Sequence, residues 1–290
     1  MRTLLFALVA LIVAVVAGTV GLLIYQARER TDSARNDPPV RTAKTSKPPA
    51  DDTSDPPATL PDDKTADAEK LPDPPKVSDK SVLKELNQEK TLYLEIPETG
   101  EKRVLFAAEV CLREGILEVF VCKKQTKEHE AILRTDIDAR FLHAALLAAG
   151  AKNGKPVQWI NPKTEEPEYK PASGQTIRVS VHYTKGGKAF THPAQEWILD
   201  KTTNKPMAHD WVFAGSRFVK NPDRPQDPEY YLANNGEVIS ISNFMDSMLD
   251  LPVQVSKEER ELIFEAVAKK IPPLGSKVWV VMEPVPDKKK

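Results

Sequence analysis

The sequence predicts an α+β domain with a mostly antiparallel sheet built from hairpins with two or more helices, preceded by a transmembrane helix and a disordered linker. Three observations predict it: strand-like runs recur between residues 91 and 283, the turn Asn234-Asn235-Gly236 separates two of them, and capped helical segments follow Asp136 and Ser256.

The chain opens on an apolar run. Residues 3–25, TLLFALVALIVAVVAGTVGLLIY, carry no charge. As a helix they would span roughly 34 Å, enough to cross a hydrocarbon core of about 30 Å. A cleaved signal peptide is the alternative, because Val15-Val16-Ala17 offers the small residues of a cleavage site. The run continues through Leu22, Leu23 and Ile24, past the usual length of a signal core, and this favours an uncleaved anchor over residues 1–25. Residues 26–80 then repeat proline pairs (38-39, 48-49, 56-57, 74-75) among Asp, Lys, Thr and Ala. Such a segment buries too little apolar surface to offset its ordering entropy, so a disordered, extended spacer is expected. Arg28, Arg30 and Arg35 argue for a cytoplasmic carboxyl-terminal side, whereas the signal-like start and the spacer argue for display outside the cytoplasm. The second placement is the expectation here.

From Ser81 the composition becomes that of a globular domain, residues 81–290. Six runs are rich in β-branched or aromatic residues and bounded by turn residues: 91–96, 103–112, 116–122, 176–183, 237–242 and 277–283. Asn234-Asn235-Gly236 predicts a hairpin joining YYLA to EVISIS. Asp136 predicts a helix cap, with the helix running to about Ala149 and Gly150 just beyond. Ser256 and Glu259 have capping-box spacing before RELIFEAVAKK, and Pro272-Pro273 would stop that second helix. Trp197, Trp211 and Trp279 sit in apolar runs and read as core.

Function has to be sought in EVCLREGILEVFVCKKQTKEHE, residues 109–130. As a hairpin with a two-residue loop at Glu114-Gly115, it sets Cys111 opposite Glu118 and Glu109 opposite Phe120. The face carrying Val104, Phe106, Ala108 and Val110 is then wholly apolar, and the other face gathers Glu109, Cys111, Glu118 and Cys122. Cys122 lies four residues along the strand from Cys111, about 13 Å away, too far for a disulfide. Lys127, His129 and Glu130 follow, and His143 on the predicted helix faces the same region. A divalent metal held by Cys111, His129, Glu130 and His143 is one reading, and a Cys111 thiol beside a His129 base is another. The plainer reading makes the cysteines core fillers and the glutamates a solvated face, with His129 paired to Glu130 or Glu118.

Composition excludes several classes. The formal net charge of −1 offers no basic surplus for nucleic acid. Two cysteines are too few for a disulfide scaffold, and they cannot supply the four ligands of an ordinary iron–sulfur cluster. No phosphate loop or dinucleotide fingerprint is present.

The run AEVCLREGILEVFVC, followed by TKEHEAIL and HAALLAAGAK, resembles the YdjY-like domain of uncharacterised bacterial proteins. The positions that carry the resemblance are Glu109, Cys111, Gly115, Glu118, Cys122, Lys127, His129, Glu130, His143 and Gly150, with WVFAGS, ISISNFMDSMLDLP and LIFEAVAKKIPPLGSKVWVVMEP further on. It implies a bacterial protein and does not imply an activity. A ferredoxin-type label given to some members finds no support in two cysteines. The resulting expectation is a single-pass protein of the bacterial cytoplasmic membrane, anchored through residues 3–25, whose outer domain is a binding or accessory module of the envelope. A metal or thiol enzyme and a purely structural envelope protein are the alternatives.

Overall fold

The computed structural model describes residues 70–160, 168–255 and 263–286. The predicted anchor and all of the spacer before Lys70 lie outside the described residues. Among the described residues no helix is long and apolar enough to cross a membrane.

The domain is a closed β-barrel rather than an α+β sheet. In chain order its strands are β1 (Val82–Glu85), β2 (Leu92–Ile96), β3 (Arg103–Val110), β4 (Val119–Lys123) and β5 (Ala131–Thr135), followed by helix α1 (Ala139–Ala148). Then come β6 (Thr176–Lys185), β7 (Lys188–Pro193), β8 (Ile198–Asp200), β9 (Trp211–Phe213), β10 (Ile239–Ser240), β11 (Leu249–Asp250), β12 (Phe264–Ala266) and β13 (Lys277–Pro284). Eight of them close a ring in the order β3-β13-β6-β9-β11-β10-β4-β5 and back to β3. The β4–β5 and β10–β11 pairs are parallel, and the other pairs of the ring are antiparallel. Strands β1 and β2 extend the sheet from β3, and β7 folds back on β6.

Closure follows from the apolar pattern. Val104, Phe106, Ala108 and Val110 of β3 join Val179 and Val181 of β6 and Val280 of β13 in one core. Trp197, Trp211, Phe120 and Phe213 are buried in the same core, with the Phe120 ring centroid 5.8 Å from Trp211 and 6.5 Å from Trp197. The Trp211 indole N–H donates to Ser240 O at 2.8 Å, so its polar atom is satisfied. The other face of β3 is covered too. Leu105 packs with Tyr93, Trp279 and Val281 under Leu71, and the Trp279 indole N–H donates to Pro72 O at 2.7 Å. All three tryptophans predicted as core are core.

Three predicted elements are corrected. The first helix exists, but its N-cap is Asp138 and Asp136 instead accepts from Lys123 at 2.9 Å. The second predicted helix does not form among its described residues: Phe264–Ala266 is extended and pairs with Ile198–Asp200, residues 268–270 make a turn, and Ala266 N–H donates to Gly115 O and Leu117 N–H to Phe264 O. Tertiary pairing on both flanks overrides the helical pattern there, and residues 256–262 lie outside the described residues. The Asn-Asn-Gly hairpin does not form. Asn234 bonds the start of α1 instead, accepting from Ala139 N–H at 2.8 Å and donating to Asp138 at 2.9 Å. Ile239 pairs with Val121 and Leu249 rather than with the tyrosines. One helix among the described residues, in place of two or more, makes the domain mostly β.

Asp250, on β11, is fully buried. Its Oδ1 accepts from Leu251 N–H at 2.8 Å, and its Oδ2 has no hydrogen-bond partner among the described residues. Burial pushes its pKa up to about 7. An unfolded aspartate titrates near 4, so below about pH 4 the residue is protonated in both states and costs nothing. Stability falls as pH rises from about 4 to about 7, because the unfolded chain gives up the proton first. Asp250→Asn keeps an acceptor oxygen and removes the charge. It is expected to match the wild type at pH 4 and to exceed it at pH 8 by on the order of 2–4 kcal/mol. Thermal melts across that range check this, and an unchanged pH slope in the variant would rule it out.

Candidate functional site

The hairpin predicted for residues 103–122 is absent, and its absence creates the site. Strand β5 lies between β3 and β4, pairing antiparallel with β3 (Glu109↔Arg134, Val110↔Leu133) and parallel with β4 (Val121↔Leu133, Cys122↔Arg134). Gly115, at φ 114°, lets the chain leave β3, and residues 116 and 117 pair with β12 before β4 begins. Glu109 is therefore opposite Arg134 rather than Phe120, and Cys111 N–H bonds Ile132 O rather than facing Glu118.

Glu109 has a cation on each side. It is in register with Arg134 on β5 and with Lys277 on β13, and cross-strand partners share a face. Arg134 Nη2 donates to Glu109 Oε1 at 2.5 Å, Lys277 Nζ pairs with Oε2, and Arg134 Nη1 donates to Glu128 at 2.8 Å. Burial works to raise the Glu109 pKa, but the hydrogen bonds from Lys277 and Arg134 hold it below the usual carboxylate range. These groups border a cleft of about 490 Å³ whose charged lining is Lys70, Lys124, Arg134, Lys277, Glu109 and Asp136. Four cations against two carboxylates leave a positive surplus.

The two cysteines sit on the segments that flank β5, Cys111 against Ile132 and Cys122 against Arg134. Both are free; Cys122 is buried and Cys111 partly exposed. The Cys111 thiol donates to Ala131 O at 3.1 Å. The influence of Cys122, together with burial, pushes the Cys111 thiol up, and that of Cys111 holds Cys122 down against burial. The hairpin register separates the cysteines along one face; in the structure β5 lies between them.

The third group surrounds Lys127. Its ammonium is 3.0 Å from Glu118, 3.0 Å from Glu130 and 3.4 Å from Glu237, and it lies 4.1 Å from the centre of the Phe244 ring. Gly236, at φ 138°, leaves room for it: a Cβ there would sit 2.9 Å from Lys127 Cγ. Burial raises the pKa of Glu118 and of Glu237. It works to lower that of Lys127, but the hydrogen bonds that the ammonium donates to Glu118 and Glu130 outweigh it and raise the lysine. An ammonium thus stands where three carboxylates converge. Among the described residues no group of three or more His, Cys, Asp and Glu side chains is placed to hold a metal ion.

The four candidate ligands do not converge. Cys111 donates to Ala131 O, while His129, 78% exposed, is 3.7 Å from Glu130, itself bound by Lys127. His143 faces another part of the barrel, with Nδ1 2.8 Å from the Tyr231 hydroxyl and its ring 4.8 Å from Phe213, and burial lowers its pKa. Sequence reasoning missed Arg134, Lys277, Lys124 and Glu237. Arg134 stands out as the lone charge inside AILRT, a signal for a strand with one charged position. Lys277 and Glu237 carry no such mark.

The YdjY domain model matches residues 96–283. The chain belongs to the YdjY domain family. No curated protein and no solved structure matches it. Within this YdjY domain the matched span contains the complete ring from β3 to the penultimate residue of β13, and with it the thiol pair, the Lys127 cluster and every charged lining residue of the cleft except Lys70.

Replacing Lys127 by Met would leave three carboxylates facing one another. Breaking a buried pair in this way costs about 3–5 kcal/mol. The loss is expected in full at pH 8 and should be smaller at pH 5, because burial raises the pKa of Glu118 and Glu237 and lets them take up protons more readily as the pH falls. Denaturant midpoints of wild type and Lys127→Met at the two pH values test this, and equal losses at both would refute the electrostatic account.

Proposed function

We propose that this YdjY domain is a binding module for a small anionic ligand, held outside the cytoplasm by residues 3–25 and the spacer that follows. The observation that carries the first part is the cationic surplus of the cleft between Lys124, Arg134 and Lys277. Lys277 donates to a single carboxylate oxygen, and among the described residues Lys124 makes no ion pair within 4.0 Å. Arg134 already shows the chemistry, gripping two carboxylates with its two terminal nitrogens. An anion of phosphate or dicarboxylate size fits the volume, whereas the barrel interior is filled by side chains. The second part is supported by the uncharged run at residues 3–25 and the proline pairs of residues 26–80.

Inorganic phosphate and citrate are the probes for the cleft. At a concentration about 100-fold above its dissociation constant, a bound anion is expected to raise Tm by about 5–10 °C. The shift should fall with added sodium chloride and diminish in Lys124→Ala. Melts that no anion moves, or that move equally in the variant, would remove the reading. The topology has its own test: protease added to intact spheroplasts should cut the spacer, and cutting only after lysis would place the domain inside.

A further inference from the structure

Resting on the anion reading of the cleft, we infer that its ligand is an amphiphilic organic acid, with one carboxylate head at Lys277 and Lys124 and a short apolar chain laid along the barrel wall between Ala107 and Leu71. The wall is graded: the cleft has a charged end and an apolar end, and the same pair of strands supplies both.

The gradient follows from register. Side chains alternate along a strand, so Leu105, Ala107 and Glu109 of β3 share its outer face, while Val104, Phe106, Ala108 and Val110 turn into the core. Their partners on β13 are Val281, Trp279 and Lys277. The outer face is thus a series of rungs, each about 7 Å from the next. The first rung is Arg134, Glu109 and Lys277 across β5, β3 and β13. The second is Ala107 with Trp279, and the third is Leu105 with Val281. Charge is confined to the first rung. On the other two the one polar side-chain group is the Trp279 indole N–H, and Pro72 O accepts from it.

The segment before β1 makes a roof over the apolar end. Leu71 packs on the cluster of Tyr93, Leu105, Trp279 and Val281, and the 2.7 Å hydrogen bond from Trp279 to Pro72 fixes the backbone beside it. Leu105 and Trp279 are closed off in this way, at 0% and 1% exposure. Ala107 is not. Its methyl group is the smallest side chain on these rungs, it stays partly exposed, and it borders the cleft together with Leu71. The apolar floor of the cleft therefore begins where the charged rung stops. At that rung Lys277 donates one N–H to Glu109 and keeps others for a ligand, and among the described residues Lys124 makes no ion pair.

Inorganic phosphate would satisfy these cations and leave Ala107 and Leu71 facing water. An alkanoate sets its carboxylate on the cations and its chain against the apolar floor, so that each methylene laid there leaves water. Glu109 and Asp136, on the same lining, repel a second acidic group and favour a single head.

The test is a chain-length series of acetate, butyrate and hexanoate, with inorganic phosphate alongside, titrated calorimetrically into the full-length protein in detergent against a protein-free blank. Each added methylene is expected to tighten binding about two- to fourfold, so that hexanoate exceeds acetate by at least about tenfold. Hexanol, which has the chain without the charge, should bind roughly tenfold more weakly than hexanoate. Ala107→Val fills the floor and Leu71→Ala removes the roof. Each should flatten the gain from acetate to hexanoate, with circular dichroism showing that the variant is folded. The two substitutions lie on separate segments, and if neither variant folds the wild-type series and hexanol decide. Acetate and phosphate that bind while hexanoate gains nothing would overturn the amphiphile and leave the anion reading standing. Hexanol as tight as hexanoate, or an unchanged gain in either folded variant, would overturn it too. If no anion binds, the anion reading fails and this inference fails with it.

Discussion

Strand β5 holds the ring shut, and the groups of the candidate site depend on that. On one side it is paired with β3 through Glu109↔Arg134 and Val110↔Leu133, supported by Cys111 N–H to Ile132 O and by the Thr135 hydroxyl to Ala107 O at 2.9 Å. On the other it runs parallel to β4 over four residue pairs. A parallel neighbour requires a crossover, and residues 124–130 supply it. The carboxylates of Glu109 and Glu128 meet on Arg134 because β5 carries that arginine to the seam. The two cysteines lie on either side of β5.

Two charge clusters of opposite sense stand on this wall. In one, Glu109 is shared by Arg134 and Lys277; in the other, Lys127 is shared by Glu118, Glu130 and Glu237. Each puts a minority charge at the centre and the majority around it. Coulomb attraction to the centre holds the arrangement, and mutual repulsion leaves the outer groups receptive to an opposite charge from solution. For the first cluster, on the reading proposed above, that charge is an anion. For the second it is a proton, and burial has already moved Glu118 and Glu237 toward taking one. The contrast explains why a family segment so rich in carboxylates borders a cleft with a positive lining.

Much of the strand content was legible in residues 91–123, 176–185 and 277–284, because period-two patterning reports burial directly and all these strands bury at least one face. What the pattern does not contain is which strand lies beside which. Residues 103–122 satisfy a hairpin register with a clean apolar face, yet that face is apolar whether β3 pairs with β4 or with β5. Everything inferred from the hairpin about Cys111 and Glu118 inherited that ambiguity. The helical spacing in RELIFEAVAKK failed for a related reason: Phe264 and Ala266 pair with Asp200 and Ile198, 64 and 68 residues earlier in the chain, and Ala266 bonds Gly115, 151 residues earlier, beyond the reach of local propensity. Asn234 shows the same thing in miniature, with turn chemistry spent on capping a helix that begins at Ala139.

The crossover loop is where the two charge clusters adjoin. The Lys127 ammonium reaches three carboxylates. Glu128, the next residue, holds Arg134 and by its charge opposes ionisation of both thiols. The acidic cluster and the cationic cleft therefore draw on two consecutive residues of one short loop, whose ends are fixed by the strands β4 and β5 that it joins.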